Sequence, residues 1–212
     1  MLLLDLLRFA VLAVLAWWLR PHVAVLWRFV FPTRVRVHIM PKQEPATDHP
    51  VVQKFIAAGF VCLGKREEVV GRFLERRVFW VLAHPEGIFA DVPLVATRQK
   101  SIPAGLYLSS WVEDTLFVVT KRVGPDIVRG LYVSQRETGS VEDMLRRHRA
   151  TLAKHGLGLS PSHAMDFATR ENLFVVWHKK YARTELMPFV VLSGVLCLLA
   201  VAVVVRMFTF SY

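Results

Sequence analysis

The stretch VFWVLAHPEGIFADV, residues 78–92, decides how the middle of this 212-residue chain folds. VFWVLA is a continuous apolar run of strand length, and Ile88, Ala90 and Val92 alternate on one face of the segment that follows. Between the two runs, HPEG has proline at its second position and glycine at its fourth, as a type I turn prefers. The stretch therefore predicts two antiparallel strands joined by a tight turn.

Further strand patterns surround this hairpin. LYLSSWV (106–112) and LFVVTK (116–121) predict a second hairpin around Glu113-Asp114-Thr115, and GLYVSQ (130–135) predicts one more strand. The fold class that these segments indicate is α+β: an antiparallel sheet of about five or six strands with one main helix on a face, flanked by N- and C-terminal transmembrane helices. The α+β domain is assigned to residues 33–160.

Two helices of this domain have recognisable first turns. Asp48 or His49 caps a short helix with Pro50 in its first turn, and Ser140 with Asp143 three residues on resembles a capping box. The second helix is predicted to end at Gly156 and to lay one face on the sheet, because these residues recur at helical spacing: Val141, Met144, Leu145, His148, Leu152 and His155. A further helix is expected over 161–185, next to the membrane.

Both ends of the chain are strongly apolar. LMPFVVLSGVLCLLAVAVVV (186–205) has twenty residues without a charge, about 30 Å of helix, and predicts a transmembrane helix at 186–206. Residues 1–32 are interpreted as a span at 2–19 plus a short interfacial helix at 22–31. One longer span over 9–31 is the alternative, and a cleaved signal peptide is another.

The charge pattern predicts how the spans are oriented. The chain carries 27 Lys+Arg against 17 Asp+Glu, a formal net charge of +10. Basic residues accumulate between the spans, which favours a cytoplasmic location for 33–185, at the inner membrane if the protein is bacterial. Anionic lipid headgroups are the expected contacts of five of them: Arg34, Arg36, Lys179, Lys180 and Arg183. No aromatic-interleaved basic motif or recognition helix indicates nucleic acid as a partner.

The search for chemistry centres on HPEG. His84, Glu86 and Asp91 are the residues that an enzyme would use, but a zinc deaminase needs a Cys-x-x-Cys that this chain lacks. Ser109 and Ser110 have no nucleophile elbow, and His148 and His155 lie two helical turns apart. We therefore predict no catalytic residue, no metal site and no cofactor.

One resemblance covers roughly residues 49–156. HPVVQKFIAAGFVCLG, VFWVLAHPEGIFADV, SSWVEDTLFVVTK and a helix containing LRRHRATLAKHG resemble uncharacterised bacterial membrane-anchored proteins. Their shared pattern is a Gly-Phe-x-x-Leu-Gly entry, two strand hairpins and a closing helix. The resemblance implies a fold of this kind, and the family supplies no activity that could be carried over to this chain.

The functional expectation is a non-enzymatic membrane-anchored protein whose cytosolic domain binds a protein partner or a small ligand. Asp5 and Arg8 lie in the first span, and charges inside a membrane usually face a partner. These two residues are therefore the candidate contacts with another membrane protein or a second copy of the chain. A membrane-bound enzyme acting on lipid-derived substrates and a membrane-tethered ligand sensor are the alternatives.

Overall fold

The computed structural model describes residues 2–32, 36–40, 49–70, 75–94, 105–112, 115–155 and 166–209. Its elements, in chain order, are α1 (Leu2–Val30), β1 (Arg36–Met40), α2 (Pro50–Ala57), β2 (Val61–Val70), β3 (Glu75–His84), β4 (Ile88–Pro93), β5 (Tyr107–Val112), β6 (Leu116–Lys121), β7 (Ile127–Arg129), β8 (Tyr132–Arg136), α3 (Val141–His155), α4 (Phe167–Lys180) and α5 (Ala182–Thr209). The α+β class with long helices at both ends is as predicted.

The sheet is larger than predicted and is mixed. Among the described residues it has eight strands in the order β1-β2-β3-β4-β5-β6-β8-β7, and β8 pairs parallel to β6. The parallel pair arises because the chain passes to the sheet edge as β7 and returns inward as β8, through a turn at Gly130 with φ +58°. The prediction of an antiparallel sheet of five or six strands was wrong in both respects.

The two predicted hairpins are confirmed. β3 pairs antiparallel with β4 from Phe79↔Pro93 to His84↔Ile88, and β5 pairs antiparallel with β6. In the HPEG turn, Gly87 has φ +79° and its N–H donates to the carbonyl of His84 at 3.0 Å. Such a positive φ favours glycine, so Gly87 allows the chain to reverse its direction between β3 and β4.

The predicted helix starts are also confirmed. Ser140 Oγ accepts from the Asp143 N–H at 3.1 Å, and Asp143 accepts from the Ser140 N–H at 2.9 Å, a reciprocal capping box. At α2 the cap is His49, whose Nδ1 accepts from the Val52 N–H at 3.4 Å. The predicted end of α3 at Gly156 lies outside the described residues.

Different helices pack on the two faces of the sheet. On one, which we call the α3 face, Ile88, Ala90 and Leu108 form a core with Met144 and with α2. The opposite α4 face carries the alternate side chains of the same strands and contacts α4. Of the residues predicted to lie on the sheet-facing side of α3, His155 is exposed, because the sheet-facing row of α3 ends with the half-buried Leu152.

The terminal helices pack against each other. α1 continues through Pro21 to Val30 without a break, so 22–31 is not a separate helix. The segment expected as one helix over 161–185 is divided: α4 ends at Lys180 and α5 begins at Ala182. Both α1 and α5 are long and apolar enough to cross a membrane.

Three contacts fix the direction of the α1–α5 pair. Arg8 lies over the Phe208 ring at 5.8 Å, and His22 Nδ1 is 3.3 Å from Ser193 Oγ. At the other end, Arg183 Nε donates to the Phe29 carbonyl at 3.2 Å. The helices are therefore antiparallel, and the intervening chain leaves and re-enters the pair at one end.

Candidate functional site

The described part of the domain contains two buried polar networks, one on each face of the sheet. On the α4 face, five side chains form what we call the arginine cluster: Arg66, Glu68, Asp91, Tyr107 and Arg170. On the α3 face, four side chains form the histidine chain: Ser110, Thr120, Gln135 and His148. Strand alternation separates the networks, since neighbouring residues of one strand point to opposite faces.

Asp91 is the centre of the arginine cluster. Arg170 of α4 donates two hydrogen bonds to its carboxylate, from Nε to Oδ1 at 3.3 Å and from Nη2 to Oδ2. Arg66 of β2 reaches the same Oδ2 from Nη2 at 3.1 Å. The side chains of Arg66 and Asp91 are fully buried and that of Arg170 is 2% exposed, so this ion pair is shielded from water on both sides.

Tyr107 and Glu68 complete the cluster. Arg66 Nη2 donates to the Tyr107 hydroxyl at 2.6 Å and to Glu68 Oε1 at 2.8 Å. The Phe174 ring of α4 lies 4.1 Å from the Arg66 guanidinium carbon, a cation–π contact. Two arginines thus face two carboxylates, and their formal charges cancel.

The pKa values follow from this arrangement. Burial alone would raise the pKa of Asp91, but the charges of Arg170 and Arg66 lower it below its usual value. Burial would likewise lower the pKa of Arg66, yet Asp91 and its other partners raise it. Burial raises the pKa of Tyr107. The cluster therefore keeps Arg66 charged, Asp91 ionised and the Tyr107 phenol neutral at physiological pH.

Arg66 is not saturated by these contacts. Its Nε and Nη1 are buried and have no hydrogen-bond partner among the described residues, while Nη2 serves three acceptors. On the same face of the sheet the hydroxyls of Ser109 and Ser134 are also buried without a partner in the described part of the chain. The α4 face thus contains buried hydrogen-bond donors that have no acceptor among the described residues.

The histidine chain, by contrast, is saturated and has one consistent direction. Ser110 Oγ donates to the Gly87 carbonyl at 2.8 Å, so it accepts from His148 Nε2 at 3.0 Å. Thr120 Oγ1 then donates to His148 Nδ1 at 2.8 Å and accepts from Gln135 Nε2 at 2.9 Å. This pattern requires a neutral imidazole, and burial lowers the pKa of His148 to about 3.

That direction matters for chemistry. A nucleophilic serine would have to give its proton to the imidazole, yet the Ser110 hydroxyl donates to a backbone carbonyl and both residues are buried. The closeness of Ser110 and His148 is therefore best explained by the polar requirements of a buried histidine.

Of the three residues considered for an enzyme, His84 and Glu86 lie together, with His84 Nδ1 3.8 Å from Glu86 Oε2, and Asp91 lies apart from them. His84 packs on the Phe60 ring at a centroid distance of 4.9 Å, and its Nδ1 accepts from the Glu86 N–H at 3.2 Å. Glu86 points to solvent and forms two bonds with Arg149 of α3, at 2.6 and 3.2 Å. Asp91 lies on the α4 face, away from both. Among the described residues, no group of three or more His, Cys, Asp or Glu is placed to hold a metal ion.

The residues assigned to the membrane are only partly described. Lys179, Lys180 and Arg183 are exposed, and Arg183 also caps the last carbonyls of α1. Arg34 and the side chains of Arg36 and Asp5 lie outside the description. Arg8 is near the end of the helix pair, beside Phe208.

Sequence reasoning named Asp91 but missed its arginines. Arg66 lies 25 residues before Asp91 and Arg170 lies 79 after it, so no local spacing links them. The available signal was the sequence of β4 itself, in which Asp91 lies between the apolar residues Ala90 and Val92. A charged residue in such an apolar strand needs a buried counter-charge. A second signal was the run Lys65-Arg66-Glu67-Glu68 within strand-forming sequence.

Comparison with known proteins adds no assignment: no family model, curated protein or solved structure matches this chain.

Proposed function

We propose that this chain is a non-enzymatic membrane-anchored protein, in which α1 and α5 span the membrane and the α+β domain binds a protein partner or a small ligand as part of a membrane complex. The observation that carries the proposal is the outer surface of the helix pair. Large apolar side chains cover it, including Phe9, Val14, Trp17, Val191, Leu192, Leu198, Leu199, Val201 and Val203, all of them exposed. Lipid is the solvent in which such a surface is stable.

In the proposed orientation, residues 33–185 lie on the cytoplasmic side, at the inner membrane if the source is bacterial. The antiparallel α1–α5 pair supports it, because the end at which α5 begins carries Arg28 and Arg183, with Lys179 and Lys180 just before α5 in the chain. The described part of the other end carries Arg8 and Arg206. Anionic headgroups are the proposed contacts of the exposed lysines, and of Arg34, Arg36 and Arg183.

The assignment to a binding protein rests on how the polar groups are used. His148 and its neighbours satisfy one another, and Asp91 is enclosed by two arginines rather than presented to a substrate. His84 accepts a hydrogen bond within the HPEG turn, and Glu86 binds Arg149 of α3. An enzyme acting on lipid-derived substrates, the alternative, would use His84 together with Asp91, and these residues lie on opposite faces of the sheet.

Membrane extraction and protease accessibility test this function. We expect the full chain to stay in the membrane pellet after alkaline carbonate washing. Protease added to inverted vesicles should digest the central domain, whereas protease outside intact cells should leave it whole. Recovery in the supernatant would refute the anchor, and digestion from outside would reverse the orientation. Substituting His84→Ala should leave the bound partner unchanged, while loss of function with an intact fold would favour the enzyme.

A further inference from the structure

Exposed apolar side chains of the α+β domain are concentrated at one edge of the sheet. Among the described residues between 36 and 155, four large apolar side chains are exposed, and three of them lie within nine residues: Val123, Val128 and Leu131, which are 49%, 69% and 57% exposed. Val128 is the middle residue of β7, Leu131 lies in the turn to β8, and Val123 precedes β7. β7 is the last strand of the described sheet. We call residues 122–131 the β7 edge.

The charges around the β7 edge are mainly positive. Residues 121–136 contain four basic side chains and one acid. Arg129 in β7 and Arg136 at the end of β8 are both exposed. The acid, Asp126, binds Arg147 of α3 at 3.2 Å, so an arginine from outside the segment balances its charge. The β7 edge therefore presents apolar side chains within a positively charged surface.

The shape of the β7 edge disfavours a partner strand. β7 has only three residues and lies between Pro125, which has no N–H to donate, and Gly130, whose φ is +58°. A symmetric contact between two copies of the chain would bring their arginines together, and like charges repel. An anionic lipid bilayer suits both kinds of side chain, because it offers negative charge at its surface and hydrocarbon beneath.

We infer that the β7 edge binds the surface of an anionic membrane, with Val128 and Leu131 in the acyl boundary and Arg129 and Arg136 on lipid phosphates. Val128 and Arg129 are neighbours in a strand and project from its opposite faces, so an edge-on approach lets both reach the lipid. The inference rests on the proposed anchor, which keeps the domain next to lipid, and adds a contact made by the domain itself. At the effective concentration that such a tether provides, a few weak contacts suffice.

A fluorescent label at the β7 edge tests the inference in vesicles. The full chain, with Cys62→Ala and Cys197→Ala, carries NBD on Leu131→Cys and is reconstituted in phosphatidylcholine with or without about one-third phosphatidylglycerol. We expect blue-shifted emission and quenching by brominated lipid in the anionic vesicles only. The matched control is Val61→Cys in β2, another exposed apolar position, at 63%, and about 30 Å away across six strand spacings. Its label should show neither effect.

Charge substitutions identify the source of the binding. Arg136→Ala should lower the equilibrium constant for membrane contact about fivefold, whereas Arg136→Lys should keep it. Arg146→Ala, which removes an exposed arginine of α3, should leave the quenching at position 131 unchanged.

Several outcomes would overturn the inference: equal quenching at positions 61 and 131, no quenching at either, equal quenching without phosphatidylglycerol, or no change with Arg136→Ala. A photoreactive residue at position 131 that captured a protein instead of lipid in native membranes would also overturn it. Carbonate washing of the same vesicles separates the two proposals. A chain that stays in the pellet without quenching at position 131 refutes only the β7 contact, and a chain that carbonate releases refutes the anchor.

Discussion

The two faces of the sheet place polar side chains in the core by opposite means. On the α4 face, Asp91 keeps its charge because Arg66 and Arg170 contact it directly. On the α3 face, His148 is equally buried, but the hydrogen-bond partners of its ring nitrogens are the hydroxyls of Ser110 and Thr120, and it is neutral. Burial penalises a charge in both places, so the contacting counter-charge decides whether the group stays ionised.

The two networks also bind different parts of the fold together. The arginine cluster joins β2, β4 and β5 to α4, and α4 is followed after one residue by α5. The histidine chain joins β5, β6 and β8 to α3 and reaches the HPEG turn through the Gly87 carbonyl. The charged network therefore fixes α4 to the sheet, and the neutral network fixes α3 to the sheet.

Removing the central carboxylate should have the largest effect on stability. Asp91→Ala leaves the two arginines buried without their shared counter-ion, and we expect a loss of about 3–5 kcal/mol in the free energy of unfolding. Chemical denaturation of the full chain in detergent, followed by tryptophan fluorescence, measures it.

The matched control removes an exposed acid that also bonds an arginine. At the surface, Asp126 Oδ2 accepts from Arg147 at 3.2 Å and Oδ1 accepts from the Arg136 N–H at 2.5 Å, so Asp126→Ala should cost about 1–2 kcal/mol. Equal losses for the two variants would show that the arginine cluster is not buried as described.

Lowering the pH should act on the histidine chain before it acts on the arginine cluster. His148 has a pKa of about 3 when folded and about 6.5 when unfolded, so below pH 6.5 the unfolded chain binds a proton that the folded chain does not. The contribution of His148 to the free energy of unfolding is complete above pH 6.5 and falls as the pH drops towards 3. This residue alone should cost about 2 kcal/mol between pH 7.5 and 5. Asp91, whose pKa is lowered, loses its contribution only as the pH falls through and below its unfolded value near 3.8.

Denaturation midpoints at pH 7.5, 6.5 and 5 check this order. His49 also has a pKa lowered by burial and contributes in the same direction, so the comparison is between variants. His148→Gln should lose most of the pH dependence in this window, whereas His155→Ala, at the exposed end of α3, should keep it. An unchanged slope in His148→Gln would mean that His148 is charged in the folded protein.

The local parts of this structure were predictable from the sequence, and the long-range parts were not. The HPEG hairpin and the Ser140–Asp143 box depend on residues a few positions apart, so their patterns suffice. The parallel β6–β8 pair depends on the route of the chain through β7, a three-residue strand with no apolar alternation. His148 was placed correctly on the sheet-facing side of α3, but its partners Ser110 and Thr120 are 38 and 28 residues away. Which polar groups meet across a sheet is a property of register, and register is set by the whole fold.

Ser109 and Ser110 allow the two faces to be compared with the same atom change. Both are buried in β5 and, as neighbours in a strand, point to opposite faces. Ser110→Ala removes a hydroxyl that accepts from His148 and donates to Gly87, and it leaves His148 Nε2–H without an acceptor. We expect a loss of about 1–3 kcal/mol. Ser109→Ala removes a hydroxyl with no partner among the described residues, so the change in stability should be close to zero or favourable. If the two variants proved equally destabilised, the Ser109 hydroxyl would have to be hydrogen-bonded too, and the α4 face would be as saturated as the α3 face.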